Sequence, residues 1–120
     1  MRILNGVLSA LMLLFMAVQY NDPDGPFWAM IYGVGAVWAG LMCFRPGLFD
    51  ILFTRGLLFV SIGLAAGGTA WFWPKTPGWW QQDVWWEVET AREGMGMMVL
   101  LIVLSVVLIT TIRMRRAKAV

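Results

Sequence analysis

The 120-residue chain contains no histidine and a single cysteine, Cys43. One cysteine cannot form an intrachain disulfide, and the lack of histidine excludes a zinc site of the Cys/His kind and a histidine-ligated haem. It also excludes general acid–base catalysis by histidine, the residue most often used for it. Charge is scarce too, since only 13% of the residues are Asp, Glu, Lys or Arg, against roughly 25% in an average soluble domain.

Apolar residues make up 60% of the chain and the mean hydropathy is +0.72. A chain this apolar cannot cover itself with polar surface, so we expect lipid to be its solvent. Four continuously apolar runs have about the length that a membrane-spanning helix needs, namely residues 3–20, 26–44, 56–73 and 94–112. No convincing cleavage site follows the first run, so we expect it to be retained instead of removed as a signal peptide. The prediction is an all-α fold: one transmembrane domain, 1–120, forming an integral membrane four-helix bundle.

The segments between these runs differ in charge. The N-terminus, the second connector and the C-terminal tail hold seven of the nine basic residues and one acid: Arg2, Arg45, Arg55, Arg113, Arg115, Arg116, Lys118 and Asp50. The other two connectors hold the remaining six acids, Asp22, Asp24, Asp83, Glu87, Glu89 and Glu93, with Lys75 and Arg92. An even number of spans returns the chain to its starting side. The positive-inside rule then places both termini in the cytoplasm.

Tryptophan is concentrated on or near the acidic side. Seven of the eight tryptophans lie there: Trp28, Trp71, Trp73, Trp79, Trp80, Trp85 and Trp86. An aromatic belt at the headgroup level explains them. The alternative is that Trp79, Trp80, Trp85 and Trp86, in the Trp-rich non-cytoplasmic loop 74–89, contact a partner, because tryptophan is favoured at interface hot spots.

Small residues at four-residue spacing indicate helix contact faces. The pairs are Gly6 and Ala10, Ala29 and Gly33, Ala36 and Gly40, and Gly63 and Gly67. We expect them to pack inside the bundle, with homodimerisation as the alternative. The last span has bulky residues almost throughout after Gly96, and we expect it to face lipid or another protein more than the others do. A helical lead-in from about Asp83 is predicted to run into this span, and the alternative start is the capping box that opens at Thr90.

Both acidic connectors emerge on one side, so their polar residues are expected to meet. The predicted structural cluster is Gln19, Asn21, Asp22, Asp24, Arg92 and Glu93. In it Arg92 pairs with Asp22 or Glu93, because an unpaired charge is costly there, and Asp22 or Asp24 caps the second helix. The alternative is a calcium or magnesium site formed by Asp22, Asp24, Glu89 and Glu93, since both ions prefer oxygen ligands.

Two short motifs resemble a known family. VQYNDPD at residues 18–24, ahead of an aromatic-rich span, and ETAREG at 89–94, ahead of the last span, are similar to the transmembrane protein 220 family. The matching positions are Gln19, Asn21, Asp22, Pro23, Asp24, Glu89, Arg92 and Glu93. The resemblance covers most of the chain and implies a small multi-span membrane protein with no established activity. The doubled tryptophans of the loop depart from the family pattern.

These observations support a structural or accessory subunit that packs against another membrane protein or against a second copy of itself. The alternative is a protein that binds a divalent cation or a small ligand through the carboxylate–arginine cluster. An enzyme is the third hypothesis, without an assigned catalytic residue; no cofactor and no nucleic acid partner is predicted. The compact length and the short basic tail favour a multi-pass protein of a bacterial inner membrane.

Overall fold

The computed structural model describes residues 1–21 and 24–119, which are helical over most of their length. The helices are α1 (Arg2–Ala17), α2 (Gly25–Phe44), α3 (Leu52–Trp71), α4 (Gln82–Glu87) and α5 (Glu89–Ala119), with 3₁₀ turns at Val18–Asn21 and Pro46–Asp50. In this part of the chain three helices are long and apolar enough to cross a membrane: α2, α3 and Glu89–Lys118 of α5. The predicted all-α membrane fold is therefore confirmed.

The first apolar run forms a shorter helix than its hydropathy suggests. α1 has 16 residues, which corresponds to about 24 Å at the usual helical rise. The hydrocarbon core of a bilayer is about 30 Å thick, so α1 falls short of it without the 3₁₀ turn that follows. A fourth crossing by this segment stays a prediction.

The start of α5 differs from the predicted lead-in. A helical segment does form around Asp83, as α4, but Val88 adopts extended backbone with φ −101° and ψ 109° and separates it from α5. α5 then begins at Glu89, one residue before the alternative start at Thr90. The prediction of one continuous helix was wrong. Because the helix breaks at Val88, the last carbonyls of α4 have no helical N–H partner and can accept hydrogen bonds from a side chain.

The bundle is organised around α5, contrary to the expectation that this helix faces outward. Its core side chains are at most 5% exposed: Met97, Leu100, Val103, Leu104 and Val107. α5 packs on α1, α2, α3 and α4, whereas α3 buries only Leu58, Ala65 and Thr69. The prediction failed because lipid-facing and core-facing residues are equally apolar in a membrane.

Small residues bring α1 and α2 close together, as predicted. Ser9 Oγ donates to the Ala36 carbonyl at 2.8 Å. A Cβ on Gly40 would lie 3.2 Å from Ser9 Oγ, and one on Gly6 would lie 3.0 Å from Cys43 Sγ. These approaches are close, so the internal packing predicted for Gly6 and Gly40 is confirmed. Ala10, which was predicted to pack with Gly6, is exposed instead.

The glycines of α3 behave differently. A Cβ added at Gly63 or Gly67 would meet nothing within 4 Å, and the same is true of Gly56. The predicted internal contact of the Gly63–Gly67 pair is therefore absent from the described residues. α3 turns a different face, with Gly68 against Met97, toward α5.

Basic residues from three segments gather at one end of the bundle. Arg2 Nε donates to the Cys43 carbonyl at 2.9 Å, which joins the N-terminus to the end of α2. Lys118 Nζ donates to Asp50 Oδ2 at 2.5 Å, and Arg115 lies 3.9 Å from the same carboxylate. The hydrogen bond from Lys118 lowers the pKa of Asp50, with a further contribution from nearby positive charge. The N-terminus, the second connector and the C-terminal tail thus share one end.

Candidate functional site

Three carboxylates meet at the opposite end of the bundle. Asp24 occupies the N-cap position of α2, while Glu89 and Glu93 lie four residues apart in the first turns of α5, on one face of the helix. One carboxylate oxygen from each of the three residues lies within 4.8 Å of the other two. Asp24 and Glu89 are exposed and Glu93 is half-buried. The two acidic connectors therefore meet, as the sequence predicted.

Asp24 is placed by the local chain chemistry of α2. Pro26 lies in the first turn, where its missing N–H removes no helical hydrogen bond. The Asp24 carbonyl accepts a bond from the Trp28 N–H at 3.2 Å. Its side chain makes no capping hydrogen bond, so this carboxylate is directed elsewhere than the predicted cap.

Among the described residues, Arg92 bonds to backbone carbonyls of α4. Its Nη1 donates to the carbonyls of Trp85 and Trp86, at 3.1 and 2.6 Å. These carbonyls belong to the last turn of α4, where no helical N–H reaches them. The guanidinium thus ties α4 to α5, and among the described residues it forms no ion pair with Glu93. The other predicted partner, Asp22, lies outside the described residues, as do Pro23 and the side chain of Asn21.

A cavity of about 100 Å³ lies beside the carboxylates, lined by Gln19, Trp28, Tyr32, Glu89, Arg92 and Glu93. Gln19 is held there by a hydrogen bond from its Nε2 to the Phe15 carbonyl. A second cavity, of about 300 Å³, shares Gln19, Tyr32 and Arg92 but is otherwise mostly apolar. The polar cavity thus opens beside an apolar one.

Sequence reasoning missed Trp28 and Tyr32 as residues of this site. Trp28 is 4% exposed and packs edge to face on Phe72, so it belongs to the core and not to the aromatic belt. Tyr32 is 8% exposed and lies one turn further along α2. The four-residue spacing of Asp24, Trp28 and Tyr32 places them on one helix face, and this was the signal that could have found them.

Two glycines allow α5 to approach the site closely. A Cβ on Gly96 would collide with the Tyr32 hydroxyl. A Cβ on Gly94 would collide with the Phe72 carbonyl oxygen and lie 2.6 Å from Pro74 Cδ. Gly96 therefore allows α5 to approach the ring of Tyr32, and Gly94 allows it to approach the chain that follows α3.

The Trp-rich loop lies next to this site and presents tryptophan to the surroundings. Trp80 is 62% and Trp86 68% exposed, while Trp79 and Trp85 are half-buried. Trp79 packs edge to face on Trp80, with ring centres 5.6 Å apart. The rings are therefore partly ordered by each other, and their contact with a partner stays a prediction.

A family model described as "Transmembrane family 220, helix" matches residues 11–109. The chain belongs to transmembrane family 220. The match includes both of the motifs that form the site, and it confirms the family indicated by the sequence. A comparison with curated proteins found no match, and neither did a comparison with solved structures.

Proposed function

We propose that this protein is a small accessory subunit that packs against another membrane protein through the outer face of α3. The observation that carries the proposal is the open pair Gly63 and Gly67, above which a Cβ would meet nothing within 4 Å. Helices associate in membranes mainly where small residues let two backbones approach closely, since lipid offers no hydrophobic driving force between them. α3 is also the least buried of the three candidate spans.

The orientation belongs to the same proposal. The basic end of the bundle faces the cytoplasm of a bacterial cell, and the site with the exposed tryptophans lies on the opposite face of the inner membrane. The contacts of Arg2, Arg115 and Lys118 at one end support it, because the positive-inside rule applies to charges near the ends of spans.

The test is to block the open face without disturbing the fold. Gly63→Leu and Gly67→Leu place side chains where the chain itself has room, so the thermal melt should change little. A stoichiometric partner that co-purifies in mild detergent with the wild type should be lost. Ala10→Leu, on an exposed position of α1, is the matched control and should retain it.

A crosslink identifies the partner. Gly63→Cys, in a chain whose Cys43 is replaced by alanine, should form a disulfide or reagent-bridged product with the neighbouring protein. A product of twice the mass of the chain would identify the neighbour as a second copy. If Gly63→Cys gives no product in membranes and the wild type purifies as a monomer alone, the proposal is refuted.

The second candidate function is binding of a divalent cation by Asp24, Glu89 and Glu93. Calcium binds oxygen at 2.3–2.6 Å, so any two of its ligands are at most about 5 Å apart. The separations in this trio, within 4.8 Å, fit that sphere. Magnesium, with ligands at about 2.0–2.1 Å, would need oxygens no more than about 4.2 Å apart. Calcium, whose coordination sphere accommodates the whole range of separations up to 4.8 Å, is therefore the ion to test first.

A calcium titration tests this candidate. An ion that binds only the folded state stabilises it by about 2.7 kcal/mol at a hundred times its dissociation constant, so calcium should raise Tm. Glu89→Gln should abolish the rise, whereas Glu87→Gln, the same change on an exposed residue outside the trio, should leave it intact. Equal behaviour of the two variants would refute a site at the trio.

A further inference from the structure

A groove of about 660 Å³ runs between α2 and α3, away from the acidic site. It exists because α3 packs on α5, while α2 packs on α1 and α5, and the two consecutive helices have no extensive contact in the described residues. Trp38 links its walls, with Nε1 donating to Ser61 Oγ at 3.1 Å. Its remaining lining is almost entirely apolar, including Val37 and Leu57.

The groove has the direction and surface of a lipid chain site. Its lining on α2 extends from Met30 to Leu41, about 16 Å at the helical rise. It follows the helix axes, as the chains of a bilayer do. Gly63 and Gly67 do not line it, and Gly63 lies about 120° around α3 from Leu57.

One end of the groove reaches the basic end of the bundle. Leu48, from the connector, and Thr54, from the start of α3, line that end. Arg45 begins the connector and Arg55 follows Thr54 directly. Arg55 Nη1 donates to the carbonyls of Phe49 and Asp50, at 3.2 Å each, which leaves other guanidinium N–H groups to bind an anion.

The charge around this end favours an anion. The acid of the connector, Asp50, is already hydrogen-bonded to Lys118 and faces Arg115. Arg45 is exposed, and its side chain has no hydrogen bond or ion pair within the described residues. The backbone of Arg45 is hydrogen-bonded to Leu41 and Leu48, both of which line the groove. An apolar groove that ends beside this arginine matches a molecule with a hydrocarbon chain and a negatively charged head.

We propose that this groove binds an anionic phospholipid, with one acyl chain between α2 and α3 and the phosphate held by Arg45, while Arg55 adds positive charge at the same end of the bundle. The bilayer supplies the ligand. A zwitterionic phospholipid has the same phosphate, but its head also carries a cation that positive charge at this end repels, so a lipid with a net negative head is preferred. The proposal does not depend on the accessory role, since the partner face of α3 is a different one.

Native mass spectrometry of the full chain in detergent tests it. Phosphatidylglycerol and phosphatidylcholine with identical chains are added in turn, and the bound fraction is measured. The wild type should bind phosphatidylglycerol more tightly. Neutralising one basic residue near a membrane surface costs roughly fivefold in affinity for an anionic lipid, so Arg45→Gln should weaken phosphatidylglycerol by about that factor and phosphatidylcholine by less. Arg116→Gln, the same change in the exposed tail, should have no effect.

A second variant tests separately whether the groove binds the acyl chain of the lipid. Val37→Trp fills the groove and should weaken both lipids, whereas Val60→Trp, an equally exposed position outside the lining, should weaken neither. If Val37→Trp lowers the melting temperature, Leu57→Trp replaces it. Equal affinity for the two lipids, an effect of Arg116→Gln as large as that of Arg45→Gln, or a crosslink from Val37→Cys to another protein would each overturn the proposal.

Discussion

Gly96→Ala is the substitution whose effect the structure defines most sharply. The new Cβ would fall on the hydroxyl of Tyr32 and 3.2 Å from its Cζ. The ring cannot swing away easily, because it packs against Phe15 and Trp28, with ring centres 5.7 and 6.2 Å away. Overpacking of this kind costs about 1–3 kcal/mol. The higher helix propensity of alanine partly offsets this cost, because it stabilises the variant by about 0.8–1.0 kcal/mol relative to glycine.

Gly67→Ala separates these two contributions. It makes the same chemical change in a helix, but its Cβ meets nothing within 4 Å, so only the propensity gain applies. We expect the free energy of unfolding of Gly96→Ala to lie below that of Gly67→Ala by about 1–3 kcal/mol. Thermal or SDS-induced unfolding in detergent, followed by circular dichroism, measures both.

A double-mutant cycle then assigns the cost to the hydroxyl. Tyr32→Phe removes that oxygen, and among the described residues it makes no hydrogen bond, so the single variant should change stability little. In the Gly96→Ala background it should recover part of the loss, with a coupling of about 0.5–3 kcal/mol. If Gly96→Ala is as stable as Gly67→Ala, or if Tyr32→Phe restores nothing, α5 does not approach α2 as described.

Three further outcomes follow from the same structure. Gly94→Ala should destabilise more than Gly96→Ala, since its Cβ meets backbone that cannot rotate away, and the same unfolding assay ranks the two. Leu104→Ala, at a fully buried position, should cost about 2–5 kcal/mol, whereas Leu64→Ala, which is 72% exposed, should cost far less; equal losses would contradict the central place of α5. The pKa of Asp50 should lie below its ordinary value of 3.8 and return toward it in Lys118→Gln, as an NMR titration would show. Because folding lowers this pKa, its contribution to stability is present above the ordinary value and is lost as pH falls through the folded value; an unchanged pKa in Lys118→Gln would contradict the bond.

The polar site was partly predictable from local patterns. Asp24 follows from the helix start signalled by proline, and Glu89 and Glu93 follow from helical spacing. Their approach to one another follows from connectors of like charge on one side of a bundle. The partner of Arg92 was not predictable, because the break at Val88 creates unbonded carbonyls that no sequence signal announces.

The tryptophans also divide into what the sequence predicts and what it does not. Their enrichment near one membrane face is a property of composition and position along the chain. Whether a given ring faces lipid or core depends on the neighbouring helix: Trp28 meets Phe72 and is buried, whereas Trp80 is exposed.

The amino-acid sequence by itself determined the membrane environment, the helical class, the family and the separation of basic from acidic ends. Each of these depends on composition or on spacing along one segment, which the chain carries without folding. Only the tertiary structure decided that α5 is central and that a groove remains between α2 and α3. It also decided that the space beside Gly63 and Gly67 is empty, whereas neighbouring residues occupy the space beside Gly94 and Gly96. The reason is physical: in a lipid solvent an apolar side chain has no preference for protein over bilayer, so the fit of surfaces, and not hydrophobicity, selects which helix faces meet.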